Sequence, residues 1–383
     1  MALWIKQAID ATLFHKFCLR EEVMSRVHNY YAGPATLPLE VLQEAQREFV
    51  DYKGNGLSLI ETSHRSKLYD AVHTRASELL RELLGIPSGY AVLFLGGGAT
   101  LQFGMVPMNL MGQGGHADYT ISGSWAKKAA SDARKTGTVN AVYDGADEAF
   151  TTLPDAGSLR STEGSSYFHI TSNETIEGVQ WKHFPVTEAP LVADMSSDIL
   201  SRPIPVEQFS LIYAGAQKNL GPAGVTIVIL REELLERLPE NLPVYLSYRT
   251  HVKSDSLYNT PPVFSIYMVK LVLEWIERQG GLQSIAERNR RKAEILYKSI
   301  ADSDGFYRCP VDPRYRSEMN VVFRLPSEEL EQKFVTEATA ANMLGLKGHR
   351  SVGGIRASIY NAMPEDGVVA LTEFMKQFAG SRS

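Results

Sequence analysis

What this chain lacks bounds it before any motif does. It has only two cysteines, Cys18 and Cys309. That excludes a disulfide framework and the paired-cysteine spacing of a structural metal site. No apolar run approaches the ~18 residues that a membrane-spanning helix needs. No basic block or arm stands out either. Lys and Arg number 39 against 44 Asp and Glu, a formal net charge of −5, so the electrostatic footprint of a nucleic-acid binder is missing. Internal repeats and low-complexity tracts are absent, which sets aside solenoids and disordered linkers. What is present is a 383-residue chain that is 44% hydrophobic, long enough for two or three domains, or for one large domain with a smaller one attached. A reducing, cytoplasmic setting is expected.

Residues 1–24 stand apart. They are too polar for a signal-peptide core, and Asp10, Glu21 and Glu22 argue against a transit peptide. A second methionine, Met24, precedes the informative part of the chain. An amphipathic extension and an upstream start that adds nothing to the fold are both open readings.

The middle of the chain alternates apolar runs with helical patterns. GYAVLFL (89–95) predicts a strand, followed by GGGAT and an amphipathic stretch, LQFGMVPMNLM. SSYFHI (165–170) predicts a strand ending in TSNETIEG, and APLVADM (189–195) one ending in SSDILSR. SLIYAG and GVTIVIL bracket a turn. Such alternation predicts an α/β fold with a large, mostly parallel sheet covered by helices, and the ligand at the carboxyl ends of the strands. The polar clusters fall there. A long helical pattern with a Gly-Gly break at 280–281 follows. Then MNVVFRLP, EELEQKFVTEATAANM, GGIRASIY and PEDGVVALTEFMKQFA read as strand, helix, strand and helix, a smaller α+β unit at the C-terminus.

Three features carry chemistry. GGGAT (96–100) joins a strand to a helix. Exposed N–H groups there make an anion site, with Thr100 as an added donor, although a tight turn would look the same. It is neither a Walker loop nor GxGxxG. Asp194 ends a strand, as a ligand group or as a helix N-cap. Lys218 lies in AGAQKNLGPAG (214–224), among small residues. A solvated lysine does not need small neighbours. A lysine that forms an imine does, because a planar cofactor lies against it, and desolvation lowers its pKa. Anion cradle, acid and lysine together suggest pyridoxal phosphate.

At this point the chain resembles the phosphoserine aminotransferases, class-V pyridoxal-phosphate enzymes of the aspartate-aminotransferase fold type (fold type I). Nine ordered blocks carry the resemblance: AGPATLP, ETSHRSK, LGGGATLQF, SGSWAKKA, SNETIEG, ADMSSDILSRP, AGAQKNLGPAG, NTPP and LKGHRSVGGIRASIYNAM. Only residues 1–24 lie outside it. The resemblance implies a large cofactor-binding domain over 39–284 and a small domain made of 25–38 plus 285–383. It implies that Lys218 is the Schiff-base lysine and Asp194 the partner of the pyridine nitrogen. Trp125 would stack on the ring, Thr175 would bond its oxygen, and Ala99, Thr100 and Gln217 would hold the phosphate. Asn259 and Thr260 would reach that phosphate from the neighbouring subunit of a homodimer. Some members carry an arginine in the Gly loop. This chain has Ala99-Thr100-Leu101 there, so no arginine role transfers.

His64 with Arg65 in TSHRS, His349 with Arg350 in KGHRS, and Arg356 in GGIRAS read singly as solvated charges. Jointly they suit an enzyme whose two substrates, glutamate and a phosphorylated keto acid, both carry a distal anion. By resemblance Arg356 grips the α-carboxylate and the other four read the distal group. The implied reaction exchanges the amino group between glutamate and 3-phosphohydroxypyruvate, in serine biosynthesis. Phosphohydroxythreonine of vitamin B6 synthesis is a second candidate substrate. The alternatives are a serine–glyoxylate aminotransferase, a cysteine desulfurase, which the positions of Cys18 and Cys309 disfavour, and a non-catalytic binder of phosphate ligands.

Overall fold

The computed structural model describes residues 26–381. The 1–24 extension, with Cys18 and Met24, lies outside the described residues. In chain order the strands are β1 (His28–Asn29), β2 (Tyr90–Leu95), β3 (His116–Ile121), β4 (Thr138–Asp144), β5 (Phe168–Thr171), β6 (Asn173–Glu174), β7 (Val179–Gln180), β8 (Leu191–Asp194), β9 (Leu211–Gly215), β10 (Thr226–Arg231), β11 (Asn320–Phe323), β12 (Met343–Leu344) and β13 (Ile355–Ser358).

Seven of these form the central sheet, in the order β2-β10-β9-β8-β5-β3-β4. β9, β8, β5, β3 and β4 run parallel. β10 runs antiparallel to both β9 and β2. Chain length explains the reversal. A parallel return needs a crossover of a dozen residues or more, usually with a helix. Between Gly215 and Thr226 there is only a tight connection, closed by Ala216 N–H donating to Val225 O at 2.9 Å. That connection carries Lys218.

The strands read as continuous apolar runs because both faces of the sheet are covered. Alternate residues divide between two cores. Val92, Phe94, Ile212 and Ile227 pack with helices Lys67–Leu84 and Val263–Arg278. Leu93, Val192, Leu211 and Val228 pack with helices Gly98–Leu110 and Ser124–Ala133. The Gly98–Leu110 helix differs from the amphipathic expectation. It buries Gln102, Phe103, Met105, Val106 and Asn109, since the chain around Tyr248 covers its outer side. Tyr248 Oη donates to Gln102 Oε1 at 2.6 Å, and Tyr248 N–H to Asn109 Oδ1 at 3.0 Å.

The Gly-Gly break is real. One helix ends at Arg278 and the next, Gly281–Ala301, begins after Gly280 at φ 92°. That second helix links two cores: Leu282 and Ile285 belong to the first, while Ala293, Leu296 and Ile300 join Tyr30 and residues of the C-terminal part in a third. There β11 pairs antiparallel with β13 and β1 parallel with β12. Helices Glu328–Ala340 and Glu365–Gly380 pack against them.

Candidate active site

A cavity of ≈ 310 Å³ opens at the carboxyl ends of β5 and β8, where Thr171 and Asp194 line it. Size and position suit a small cofactor with a substrate. Lys218 reaches it from the β9–β10 connection. Its side chain is buried, and Nζ donates to Thr175 Oγ1 at 2.7 Å. Nζ also lies 5.8 Å from the centre of the Trp125 ring. Burial lowers the Lys218 ammonium to about 8, against the opposing pull of Asp194. Burial likewise raises the Asp194 carboxyl above its ordinary value, opposed by Ser196. Asp194 does not cap a helix. Its Oδ1 accepts the Ser196 N–H at 2.9 Å in a tight turn.

The Gly loop forms the far wall. Gly97 is left-handed at φ 86°, and a Cβ there would lie 2.5 Å from Leu101 Cδ2, so both the turn and the close packing require glycine. The helix Gly98–Leu110 has no side-chain cap. Gly98, Ala99 and Thr100 line the cavity at its N-terminus, a place suited to an anion. Gln217 lines it from the lysine turn.

Arg356, on β13, lines the same cavity. One guanidinium nitrogen donates to Thr175 O at 3.3 Å, while its buried Nε meets no protein acceptor. His349 also faces the cavity. Burial holds its imidazole below the usual value, and the nearby Arg356 adds to that.

Five expected residues are not brought here within one chain. Arg350 is exposed and lines a groove on the outer side of the 347–354 loop. His64 and Arg65 precede the Lys67–Leu84 helix, away from the cavity, with Arg65 exposed. Asn259 and Thr260 are exposed and line a second cavity with Gly96, Tyr245 and His251.

Sequence reasoning missed two acids, Glu174 and Glu177, which the fold buries beside Trp125. It also missed Lys128, whose Nζ lies 4.0 Å from the centre of the Trp125 ring. Both acids stand in SNETIEG, next to Thr175. Two acids in one short turn-forming stretch were the available signal.

The residues present fit pyridoxal phosphate. An uncapped helix N-terminus suits the phosphate, a buried carboxylate suits a ring nitrogen, and a desolvated amine suits the aldehyde. The indole Nε1 of Trp125 and the Nε of Arg356 are buried without a protein partner.

A mostly parallel sheet that brings a desolvated lysine, a buried carboxyl group and an uncapped helix N-terminus to one cavity marks the class of pyridoxal-phosphate enzymes. The chain belongs to the class-V aminotransferase family, whose family model matches residues 27–371. Within that family it is similar to phosphoserine aminotransferases. It is 54% identical over 355 residues to that of Geobacillus kaustophilus (strain HTA426), covering 93% of this chain and 99% of the relative. The solved phosphoserine aminotransferase from Bacillus circulans subsp. alkalophilus superposes with a TM-score of 0.92 at 53% identity, over 94% of this chain and 99% of that one. A phosphoserine aminotransferase from Trichomonas vaginalis, solved with bound pyridoxal phosphate, gives 0.84 at 40% identity, over 92% and 100%.

Proposed function

We propose that this chain is a pyridoxal-phosphate-dependent transaminase. It exchanges the amino group between glutamate and 3-phosphohydroxypyruvate, yielding 2-oxoglutarate and phosphoserine. One observation carries the reading: a lysine amine brought down to about 8 by burial shares a cavity with Asp194, Arg356 and an uncapped helix N-terminus.

When bound, the cofactor supplies an electron-poor ring that takes up the electrons of the substrate's Cα–H bond. Lys218 Nζ holds the cofactor between turnovers and moves the α-proton during them. Thr175 Oγ1 orients Nζ through their hydrogen bond. Asp194 keeps the ring nitrogen protonated, and Trp125 covers one ring face. Ala99, Thr100 and Gln217 hold the phosphate. Arg356 takes the α-carboxylate common to all amino-acid substrates.

His349 and Arg350, with His64 and Arg65, read the distal anion. His64, Arg65, Asn259 and Thr260 lie outside the cavity of their own chain, which supports a homodimer with sites shared across the interface. The third core, which includes Tyr30, supports a small domain of 25–38 plus 285–383 beside a large one of 39–284. No described helix is long and apolar enough to cross a membrane; a cytoplasmic location is part of the proposal.

The test is a steady-state assay with glutamate and 3-phosphohydroxypyruvate. Parallel double-reciprocal lines are expected, because the amino group waits on the enzyme between two half-reactions. Transfer to glyoxylate but not to the phosphorylated keto acid would overturn the substrate assignment.

A further inference from the structure

The helix Ser124–Ala133, which carries Trp125, has no cap of its own. Its N-cap is Gly123, with no side chain to offer. Helix N-termini leave their first N–H groups without intrahelical partners. Here two carboxyl groups from distant sequence supply the acceptors, and burial raises both, Glu174 to about 8. Glu177 Oε1 accepts from the Ser124 N–H at 3.1 Å and from Ser124 Oγ at 2.5 Å. Glu174 accepts from the N–H of Trp125 at 3.0 Å, from that of Ala126 at 2.9 Å, and from Ser122 Oγ at 3.3 Å. Glu174 is fully buried. A Cβ at residue 123 would lie 2.5 Å from its Cδ, so glycine lets the carboxylate approach.

Both acids sit on the β6–β7 hairpin, where Glu174 pairs with Val179. Between them lies Thr175, which accepts from Lys218 Nζ through its hydroxyl and from Arg356 through its carbonyl. One short hairpin therefore grips the backbone of Trp125 and also touches the amine and the guanidinium across the cavity.

We infer that Glu174 and Glu177 are positioning residues, which set the Trp125 ring against the cofactor and keep it in register with Lys218 and Arg356. The inference rests on the reading of Trp125 as the residue that covers the ring. An ordinary cap would stabilise the helix and do no more. Carboxylates in this hairpin couple the place of the indole to the groups that do the chemistry.

The experiment uses the full chain as Trp125→Phe, Glu174→Gln, Glu177→Gln and the double variant Trp125→Phe/Glu174→Gln. Two signals are read: the dissociation constant of pyridoxal phosphate added to apoprotein, and the visible circular dichroism of the bound cofactor. A cap that acts on helix stability alone lowers the thermal midpoint and leaves the dichroism per bound cofactor unchanged. Glu174→Gln should weaken binding about tenfold and reduce the dichroism. Glu177→Gln, which leaves the Glu174 contacts in place, should do so less and serves if the first variant folds poorly. The double variant should be no worse than the poorer single, because both changes remove one interaction. If Trp125→Phe changes neither signal, the reading of Trp125 fails and the inference falls with it. If Trp125→Phe changes both while the glutamine variants change only the thermal midpoint, the inference alone is overturned. Fully additive losses overturn it as well.

Discussion

Asn219, the residue after Lys218, accepts a 3.0 Å hydrogen bond from the backbone N–H of Asn361, three residues beyond β13. Both are buried. Asn219 Nδ2 donates to Ile199 O and Asn361 Nδ2 to Leu200 O, so the pair also fixes a turn in which Leu200 is left-handed at φ 59°. The turn of Lys218 and the strand of Arg356 are thereby joined by a bond that neither Lys218 nor Arg356 makes.

Asn219→Ala strands the Asn361 N–H and the Ile199 carbonyl. Leaving buried polar groups unpaired costs about 1–3 kcal/mol. The urea midpoint of the apoprotein should fall accordingly. An unchanged midpoint would mean that the bond contributes nothing in solution.

The amine of Lys218 attacks an aldehyde only when neutral. Burial brings its pKa from 10.5 down to about 8, so the neutral fraction grows as pH rises and saturates above that value. Covalent capture of the cofactor by apoprotein should accelerate ~tenfold per pH unit between about 6 and 7.5, then level off above about 8.5. Borohydride quenching at timed intervals measures it, and peptide mapping should place the label on Lys218 alone. A rate still climbing at about pH 10, or label on another lysine, would reject the assignment. Lys218→Ala should take no label.

Asn259→Ala or Thr260→Ala should weaken cofactor binding by about 1–3 kcal/mol, the worth of a hydrogen bond to a charged acceptor. Subunit origin is tested in mixed dimers that pair a Lys218→Ala chain with an Asn259→Ala chain. If the contact crosses the interface, both defects fall in one site and the other is intact. One defect in each site, with no imine in one, weakened cofactor binding in the other and no intact site, would place the contact within one chain.

Arg356→Ala should depress every amino-acid substrate, alanine included, because all share the α-carboxylate. Arg65→Ala and Arg350→Ala should hurt phosphoserine most, glutamate less and alanine hardly at all, since the distal charge falls in that order. A lost charge-assisted pair costs about 2–4 kcal/mol in catalytic efficiency. The measurement is the ratio of kcat/KM for the three substrates. A uniform drop in Arg65→Ala would show the residue to be structural.

Much of the fold was legible in the sequence because it is local. Alternating apolar runs and helical periods marked β2, β8, β9, β10 and the four C-terminal elements. Small residues around Lys218, and polar ends on the strands, pointed to a site at the carboxyl edge. β3, β4 and the Ser124–Ala133 helix carried weaker signals. β3 and β4 hold several polar residues, and that helix has a glycine at its N-cap and its capping acids 48 to 53 residues away.

By itself the sequence determined which chemical groups the protein has and the elements that carry them, since short-range periodicity and turn chemistry need no knowledge of the rest of the chain. Tertiary structure alone decided which groups meet. It put Arg356 on Thr175 across 181 residues, buried Glu174 under Trp125, lowered the Lys218 amine by desolvation, and left His64, Arg65, Arg350, Asn259 and Thr260 outside the cavity of their own chain. Burial and distance depend on contacts between residues far apart in sequence, and pKa follows from both.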